Sequence, residues 1–303
     1  MSATVSIEQD LGTYAFRSMG TTVKLIGPGR TGFGRAAAAV ERIFSRLNDR
    51  FTRFRTDSEL SKVNGAAGRW TRVSPEFAEL ARRSLAAAEQ TNGLFDPTIL
   101  PALLAAGYDR DFDEVIAGAR LALHPPEPCG RWRDVRLESD RIMIPEGTSI
   151  DFGGIAKGWA VDLAAERAAE ILPWCMVDAG GDLRVAGDAV PPEGIQIAVE
   201  HPEDATVELV RLRLAHGALA TSSITVRSWG PGMHHLIDPR TGAPADTGVM
   251  QATVWAPTCA EAEVGSKVAL LQGEEAPGEY PSVIAFADGR VVVAMDIEEE
   301  AAC

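Results

Sequence analysis

The sequence has few cysteines, no excess of basic residues and no long hydrophobic run. Its four cysteines, at positions 129, 175, 259 and 303, lack the paired spacing of a zinc site or a disulfide framework. Lysine and arginine number 29 against 43 aspartate and glutamate, which gives a formal net charge of -14. Because phosphate backbones are bound by clustered basic residues, this charge argues against a nucleic-acid partner.

No stretch of the sequence approaches the length of a membrane span, and residues 1–12 lack the basic and apolar regions of an export signal. We therefore expect no membrane span and a cytoplasmic location, which also suits reduced thiols. The 303 residues, 46% of them hydrophobic, are enough to bury a sizeable core. We expect a single domain over 1–303, built as one lobe or two intimate lobes, with a disordered acidic tail at 298–303.

Hydrophobic periodicity predicts helices and strands in an irregular alternation. Apolar residues recur at helical spacing over 34–51, and again after the capping pair Ser74-Pro75. A proline-rich stretch at 121–133 predicts a long surface loop. Strand patterns cover 21–27, 141–145, 195–200, 207–214 and 250–256, and a final hairpin turns at 288–289. Hairpins outnumber strand-helix-strand units, so the prediction is an α+β fold with a mainly antiparallel sheet and packed helices.

The densest motif runs from Asp151 to Gly158, between a strand and a helix. Its glycines let backbone approach a ligand closely, the helix N-terminus offers N–H groups to an anion, and Lys157 adds a positive charge. This combination suits a phosphate or a polar ring edge. A plain strand-to-helix connection with a solvated lysine explains the motif equally well when it is taken alone.

A second motif places His234 and His235 before an Asp-Pro-Arg-Thr-Gly turn at 238–242. Histidine exchanges protons near neutral pH, and a sharp turn would hold such a side chain in place. Neighbouring residues on a strand point to opposite faces, so at most one of the two histidines is expected to serve a site. One core histidine and one surface histidine is the alternative.

Two groups of charged residues have ordinary explanations. Glu263 and Lys267 lie four residues apart on a predicted helix, the order that forms a favourable ion pair, and a surface salt bridge accounts for them. Arg50, Arg53 and Arg55 look like a solvated helix end, and no role is assigned to them.

Taken together, the ordered motifs resemble those of the ApbE family, the flavin transferases that cleave FAD and attach FMN to a serine or threonine of a target flavoprotein. The resemblance implies an ApbE-like fold and covers most of the chain. The motifs that carry it are Met19-Gly20-Thr21, the 51–64 stretch, Asn92 to Thr98, Asp151 to Gly158, Asp178 to Gly187, Ala220-Thr221-Ser222 and His235 to Gly242.

The resemblance also implies roles for particular residues. His235 would transfer a proton, and Lys157 would serve both catalysis and binding. Phe54 stands where the family often has tyrosine, which keeps the ring and loses the hydroxyl. The implied contacts to FAD are Met19, Phe54, Leu94, Phe95, Asp96, Asp151, Lys157 and Ile237.

The implied metal site departs from the family's pattern. The family's Mg²⁺ is held by a backbone carbonyl that falls at Gly154 and by an Ala-Asp-x-x-x-Thr motif, in which this chain has Glu263 and Lys267. A protonated lysine has no lone pair to give to a metal. Either Mg²⁺ still binds through Glu263, with Ser266 as a further oxygen donor, or Lys267 replaces it as counter-charge to the pyrophosphate.

The function expected from the resemblance is that of an FAD:protein FMN transferase that releases AMP. FAD and an acceptor flavoprotein would be its partners. One alternative is an FAD-binding module that is catalytically weakened because the metal motif carries Glu263 and Lys267. The other is a flavin oxidoreductase, although nothing in the sequence looks like a nicotinamide site.

Overall fold

The computed structural model describes residues 11–29, 31–116, 125–126, 129–276 and 281–294. The predicted acidic tail at 298–303 lies outside this range, as do residues 121–124 and 127–128 of the predicted loop. Within these ranges, no helix combines the length and the apolar character needed to cross a membrane.

The centre of the fold is an eight-stranded sheet in which every neighbouring pair is antiparallel, as predicted. The strands are β1 (Leu11–Ser18), β2 (Thr21–Pro28), β3 (Thr71–Arg72), β4 (Arg136–Leu137), β5 (Arg141–Met143), β6 (Cys175–Ala179), β7 (Leu183–Ala186), β8 (Ile195–Glu200), β9 (Glu208–Leu214), β10 (Gly217–Ser223), β11 (Ser228–Gly230), β12 (Met233–His234), β13 (Ile237–Asp238), β14 (Ala243–Pro244), β15 (Val249–Ala256), β16 (Ser282–Phe286) and β17 (Val291–Ala294). The order of strands in the eight-stranded sheet is β1-β2-β6-β7-β10-β15-β16-β17.

Helices pack on the sheet, so the α+β class predicted from the sequence is confirmed. The helix predicted over 34–51 is present, and the helix after Ser74 begins at Pro75 with the predicted serine cap. The helices are α1 (Phe33–Phe51), α2 (Glu59–Asn64), α3 (Pro75–Gln90), α4 (Leu100–Ala105), α5 (Phe112–Ile116), α6 (Ala156–Ala169) and α7 (Cys259–Gln272), with short 3₁₀ turns at Arg131–Asp134 and Gly273–Glu275.

The two faces of the sheet bury different partners because successive strand residues point to opposite sides. Leu25 and Val177 belong to the core shared with α1 and α6, whereas their neighbours Ile26 and Met176 pack against the β8–β9 hairpin. Both faces are therefore covered, which explains why the central strands show little alternation between apolar and polar residues.

The N-terminal ends of α6 and α7 pack directly against each other at Gly158. A Cβ on this residue would lie 2.5 Å from the carbonyl oxygen of Cys259, so only glycine permits the approach. Asp162 of α6 accepts the backbone N–H groups of Cys259 and Ala260 at 2.8 and 3.0 Å and thereby caps α7. This packing fixes the 151–158 motif against the helix that carries Glu263.

Candidate functional site

One cleft of about 420 Å³ brings together nearly all of the residues predicted from the sequence. This volume is in the range of about 300–1,000 Å³ that is usual for small-molecule sites. Glu263 does not line the cleft, but it contacts Lys267, which does line it. The predicted residues that line the cleft are Met19, Phe54, Leu94, Phe95, Asp96, Asp151, Gly154, Lys157, His235 and Ile237. Their individual roles stay predictions.

Hydrogen bonds join the two loops that form one side of the cleft. The backbone N–H of Asp151 donates to the carbonyl of Pro97 at 2.9 Å, and the Asn64 amide pairs with both backbone groups of Ile150 at 2.8 and 2.9 Å. Asp96 accepts from the backbone N–H and the hydroxyl of Thr98. These bonds give the Asp96 carboxylate a structural role in holding the loop, and its contact with FAD stays a prediction.

Arg53, Phe54 and Tyr108 form a wall of the cleft, and of these three only Phe54 was predicted from the sequence as a site residue. The guanidinium carbon of Arg53 lies 4.3 Å from the ring centre of Phe54 and 4.5 Å from that of Tyr108. Tyr108 in turn packs against Trp229, with ring centres 5.4 Å apart. The interpretation of Arg53 as part of a solvated helix end was wrong, because its side chain is only 8% exposed and pairs with Asp151 at 3.3 Å.

The wall also contains an unused donor. Nη2 of Arg53 is buried and has no hydrogen-bond partner among the residues that the structure describes. Buried polar groups normally find partners, so an unpaired donor on a residue that lines the cleft indicates a position where a ligand supplies an acceptor.

Met19 occupies the tight turn between β1 and β2 in a conformation that side chains rarely adopt. Its φ is +49° and that of Gly20 is +71°, as expected for a two-residue hairpin turn between the paired Ser18 and Thr21. Such turns favour asparagine and glycine, and a methionine there costs stability. Nη2 of Arg227 donates to the Met19 carbonyl at 3.4 Å and holds the turn at the cleft.

The two adjacent histidines have different surroundings, as the sequence predicted. His234 is buried, and its ring nitrogens contact the carbonyl of Ala245 and the N–H of Leu236. His235 lines the cleft, and its Nδ1 has no partner within the described ranges. Burial lowers the pKa of His235 well below its usual value of 6.5, and the charges of Arg227 and Lys267 lower it further. The His235 imidazole is therefore neutral at pH 7 and available to accept a proton.

Lys157, at the start of α6, pairs with Asp182 in the interior next to the cleft. Burial alone would lower the pKa of Lys157, but the carboxylates of Asp182 and Glu263 raise it above the ordinary value. Lys157 is therefore an ammonium group at pH 7. It can neutralise a phosphate but cannot act as a general base.

Glu263 and Lys267 form the predicted ion pair, but it is not on the surface. The Glu263 side chain is 2% exposed, and its Oε1 lies 3.2 Å from Nζ of Lys267. Its Oε2 accepts the backbone N–H of Gly158 at 2.8 Å, in the first turn of α6, whose N-cap residue makes no side-chain cap. Glu263 therefore acts as a helix cap across the α6–α7 contact.

The residues present do not fit Mg²⁺ in this arrangement. Both carboxylate oxygens of Glu263 already have partners, and the Lys267 side chain runs past Gly154, the other predicted ligand. Ser266, the further oxygen donor considered, is buried and bonded to Ser222 and to the Glu263 carbonyl. In the described part of the chain, no group of three or more histidine, cysteine, aspartate or glutamate residues is placed to hold a metal.

Known proteins resemble this chain in sequence and in structure over most of its length. An FAD:protein FMN transferase of Vibrio cholerae is 27% identical over 274 residues, which cover 85% of this chain and 80% of that protein. A second, from Haemophilus influenzae, is 27% identical over 258 residues and covers 78% and 72%. The crystal structure of the ApbE protein from Thermotoga maritima superposes with a TM-score of 0.82 at 25% identity, over 94% of this chain and 97% of that one.

The sequence match and the structural match agree on one family. The family model described as "ApbE family" matches residues 19–282, which include every residue of the candidate site. The ApbE-like fold predicted from the motifs is confirmed, and this chain belongs to the ApbE family.

Proposed function

We propose that this protein is an FAD:protein FMN transferase, which cleaves FAD, attaches FMN through a phosphoester bond to a serine or threonine of a target flavoprotein, and releases AMP. The observation that carries the proposal is one cleft that combines an aromatic wall, two lysine ammonium groups and a neutral histidine.

The shape and chemistry of the cleft suit the flavin ring and the pyrophosphate of FAD. Phe54 is 41% exposed and offers a ring face for stacking. The unpaired Nη2 of Arg53 can donate to a carbonyl or nitrogen on the edge of the flavin. Lys157 and Lys267 line the same cleft and supply positive charge for the pyrophosphate.

The reaction requires one bond to form and one to break at the same phosphorus atom. The acceptor hydroxyl oxygen attacks the phosphorus on the FMN side, and the bond from that phosphorus to the bridging oxygen breaks, so AMP leaves with the electron pair. The hydroxyl loses its proton, which a neutral His235 ring nitrogen can accept. Lys157 stabilises the charge that develops on the phosphate oxygens.

Release of AMP tests the proposal. The purified protein is incubated with FAD and an extract of its source cells, AMP is measured by chromatography, and protein-bound flavin is detected by fluorescence on a denaturing gel. We expect AMP and a fluorescent acceptor band to appear together. Absence of both with a protein that binds FAD would contradict the transferase.

An FAD-binding module without chemistry is the second candidate, and the buried Glu263–Lys267 pair favours it. The Glu263→Asp/Lys267→Thr double variant separates the two candidates, because it restores the family's motif. A gain of magnesium-dependent turnover in this variant, with little turnover in the parent protein, would identify the parent as the binding module.

The Met19 turn gives a prediction in which stability and binding change in opposite directions. Met19→Asn is expected to stabilise the protein by about 1 kcal/mol, because asparagine adopts the left-handed turn conformation at low cost. The same change removes an apolar contact from the cleft, so FAD binding is expected to weaken. Thermal unfolding and a fluorescence titration with FAD measure the two effects, and a variant that loses stability would contradict this account of the turn.

The His235 environment predicts the position of the acidic limb of the rate profile. Neutral His235 is the active form, so transfer is lost only as the pH falls through its lowered pKa, below 6.5. Arg227→Met removes a positive charge beside the ring, so the His235 pKa should rise and the acidic limb of the pH–rate profile should move to higher pH. Arg227→Lys keeps the charge, so its acidic limb should stay at the pH of the parent protein. The position of the limb in kcat/KM between pH 5 and 9 is measured, and identical limbs in all three proteins would count against His235 as the base.

The remaining expectations stay predictions. The acceptor flavoprotein is a partner of unknown identity, and a cytoplasmic location is to be tested by cell fractionation. The oxidoreductase alternative predicts that the FAD-loaded protein oxidises NADH, so an assay for that oxidation tests it.

A further inference from the structure

Four charged side chains lie close together where α6 meets α7. Two of them are the ammonium groups of Lys157 and Lys267, and two are the carboxylates of Asp182 and Glu263. Each carboxylate is almost completely buried, at 1% and 2% exposure, while both lysines also line the cleft. The four charges therefore sum to zero, and the two positive groups lie on the side that a ligand would contact.

Lys267 provides this balance. Without it, one ammonium group would face two buried carboxylates, and the net negative charge would repel a pyrophosphate. With it, the cluster is neutral before any ligand or metal ion is added. Because an unpaired buried charge is costly, Glu263 and Lys267 also depend on each other for stability.

Lys267 also has the geometry to meet a ligand. Its Nζ lies 3.2 Å from Oε1 and 3.3 Å from the backbone carbonyl of Glu263. An ammonium group has three N–H donors, so two of them are accounted for and one is left for a ligand oxygen. Its side chain passes Gly154, where an added Cβ would lie 3.4 Å from Cε of Lys267. Lys267 therefore bonds to Glu263 and lies beside Gly154, the two residues that were predicted to hold a metal.

We propose that the Lys267 ammonium group takes the place of a divalent cation in this protein and holds the FAD pyrophosphate without Mg²⁺. The inference rests on the proposed function, since it takes FAD as the ligand. A lysine cannot share the site with Mg²⁺, because the metal needs oxygen ligands in near-octahedral geometry and the ammonium group offers no lone pair. FAD affinity should then be independent of magnesium and should depend on the Lys267 charge.

The test is a titration of the purified protein with FAD, followed by flavin fluorescence, in EDTA and in excess Mg²⁺. We expect the two dissociation constants to agree within about twofold, and Lys267→Met to weaken FAD binding about tenfold or more in both conditions, as expected for losing a hydrogen bond to a charged group. Riboflavin, which lacks phosphate, should bind the variant and the parent protein equally. Lys62→Met, at an exposed lysine on α2, is the matched control and should leave FAD binding unchanged.

A second variant guards against a folding defect, since Lys267→Met leaves Glu263 buried without its cation. Glu263→Gln/Lys267→Met removes both charges and should show the same loss of FAD binding with normal riboflavin binding. FAD binding at least tenfold weaker in EDTA than in Mg²⁺ for the parent protein would overturn the inference and leave the proposed function intact. No FAD binding in either condition would overturn both.

Discussion

Replacing His235 with asparagine is expected to slow FMN transfer by about 10²–10⁴-fold, the usual contribution of a positioned general base. FAD affinity should change little, because the aromatic wall and the two lysines remain. The expectation rests on a ring whose Nδ1 is unpartnered among the described residues and whose lowered pKa keeps it neutral. Initial rates of AMP release at saturating FAD and acceptor measure the effect.

His234→Asn is the matched control for this variant. His234 is buried and bonds to backbone groups, so its replacement should lower stability without a comparable loss of rate in the folded protein. If His235→Asn kept a rate near that of the parent protein, the proton would have to be accepted by the acceptor protein or by water.

Replacing Lys157 with methionine is expected to lower the free energy of unfolding by about 3–5 kcal/mol, the usual cost of removing one partner of a buried ion pair. The reason is Asp182, which is 1% exposed and would be left without its cation. The loss of positive charge in the cleft should also weaken FAD binding. Denaturant unfolding and a titration with FAD measure the two effects separately.

Adding Asp182→Asn to Lys157→Met separates the effect on stability from the effect on FAD binding. The Lys157→Met/Asp182→Asn double variant should recover much of the stability, because no charge is left buried alone. It should not recover FAD affinity, because the ammonium group is still missing. Full recovery of both properties would mean that Lys157 contributes to the fold but not to the binding of FAD.

The elements predicted correctly are those whose periodicity is long and regular. Over 34–51, Val40, Ile43, Phe44, Leu47 and Phe51 recur at helical spacing, and all five are buried in α1. In contrast, β10 lies in the middle of the main sheet and was not predicted as a strand. Its Ala-Thr-Ser-Ser sequence has weak strand preference, and its place is set by the neighbouring strands β7 and β15.

The candidate site was predicted through ordered motifs, so residues outside them were missed. Arg53 looked like one of three exposed arginines because its surroundings come from Tyr108 and Asp151, which are distant in the sequence. Arg227, which also lines the cleft, lies in a segment without a motif. The aromatic residues around Arg53 gave no periodic signal, and only the folded chain shows that they form one wall.

The Glu263–Lys267 pair shows where spacing gives the contact but not the environment. The i,i+4 spacing predicted the ion pair, and the structure contains it. The surface location was wrong, because Gly158 lets α6 pack closely over this part of α7. Burial depends on a helix remote in sequence, so spacing within α7 could not indicate it.

The central claim is that the cleft transfers FMN from FAD to a protein hydroxyl. The most direct measurement compares the AMP released with the flavin that stays on protein after denaturation, in the same reaction. The account predicts a one-to-one ratio that persists in EDTA and a loss of both products in His235→Asn. AMP without protein-bound flavin would show hydrolysis of FAD rather than transfer and would contradict the claim.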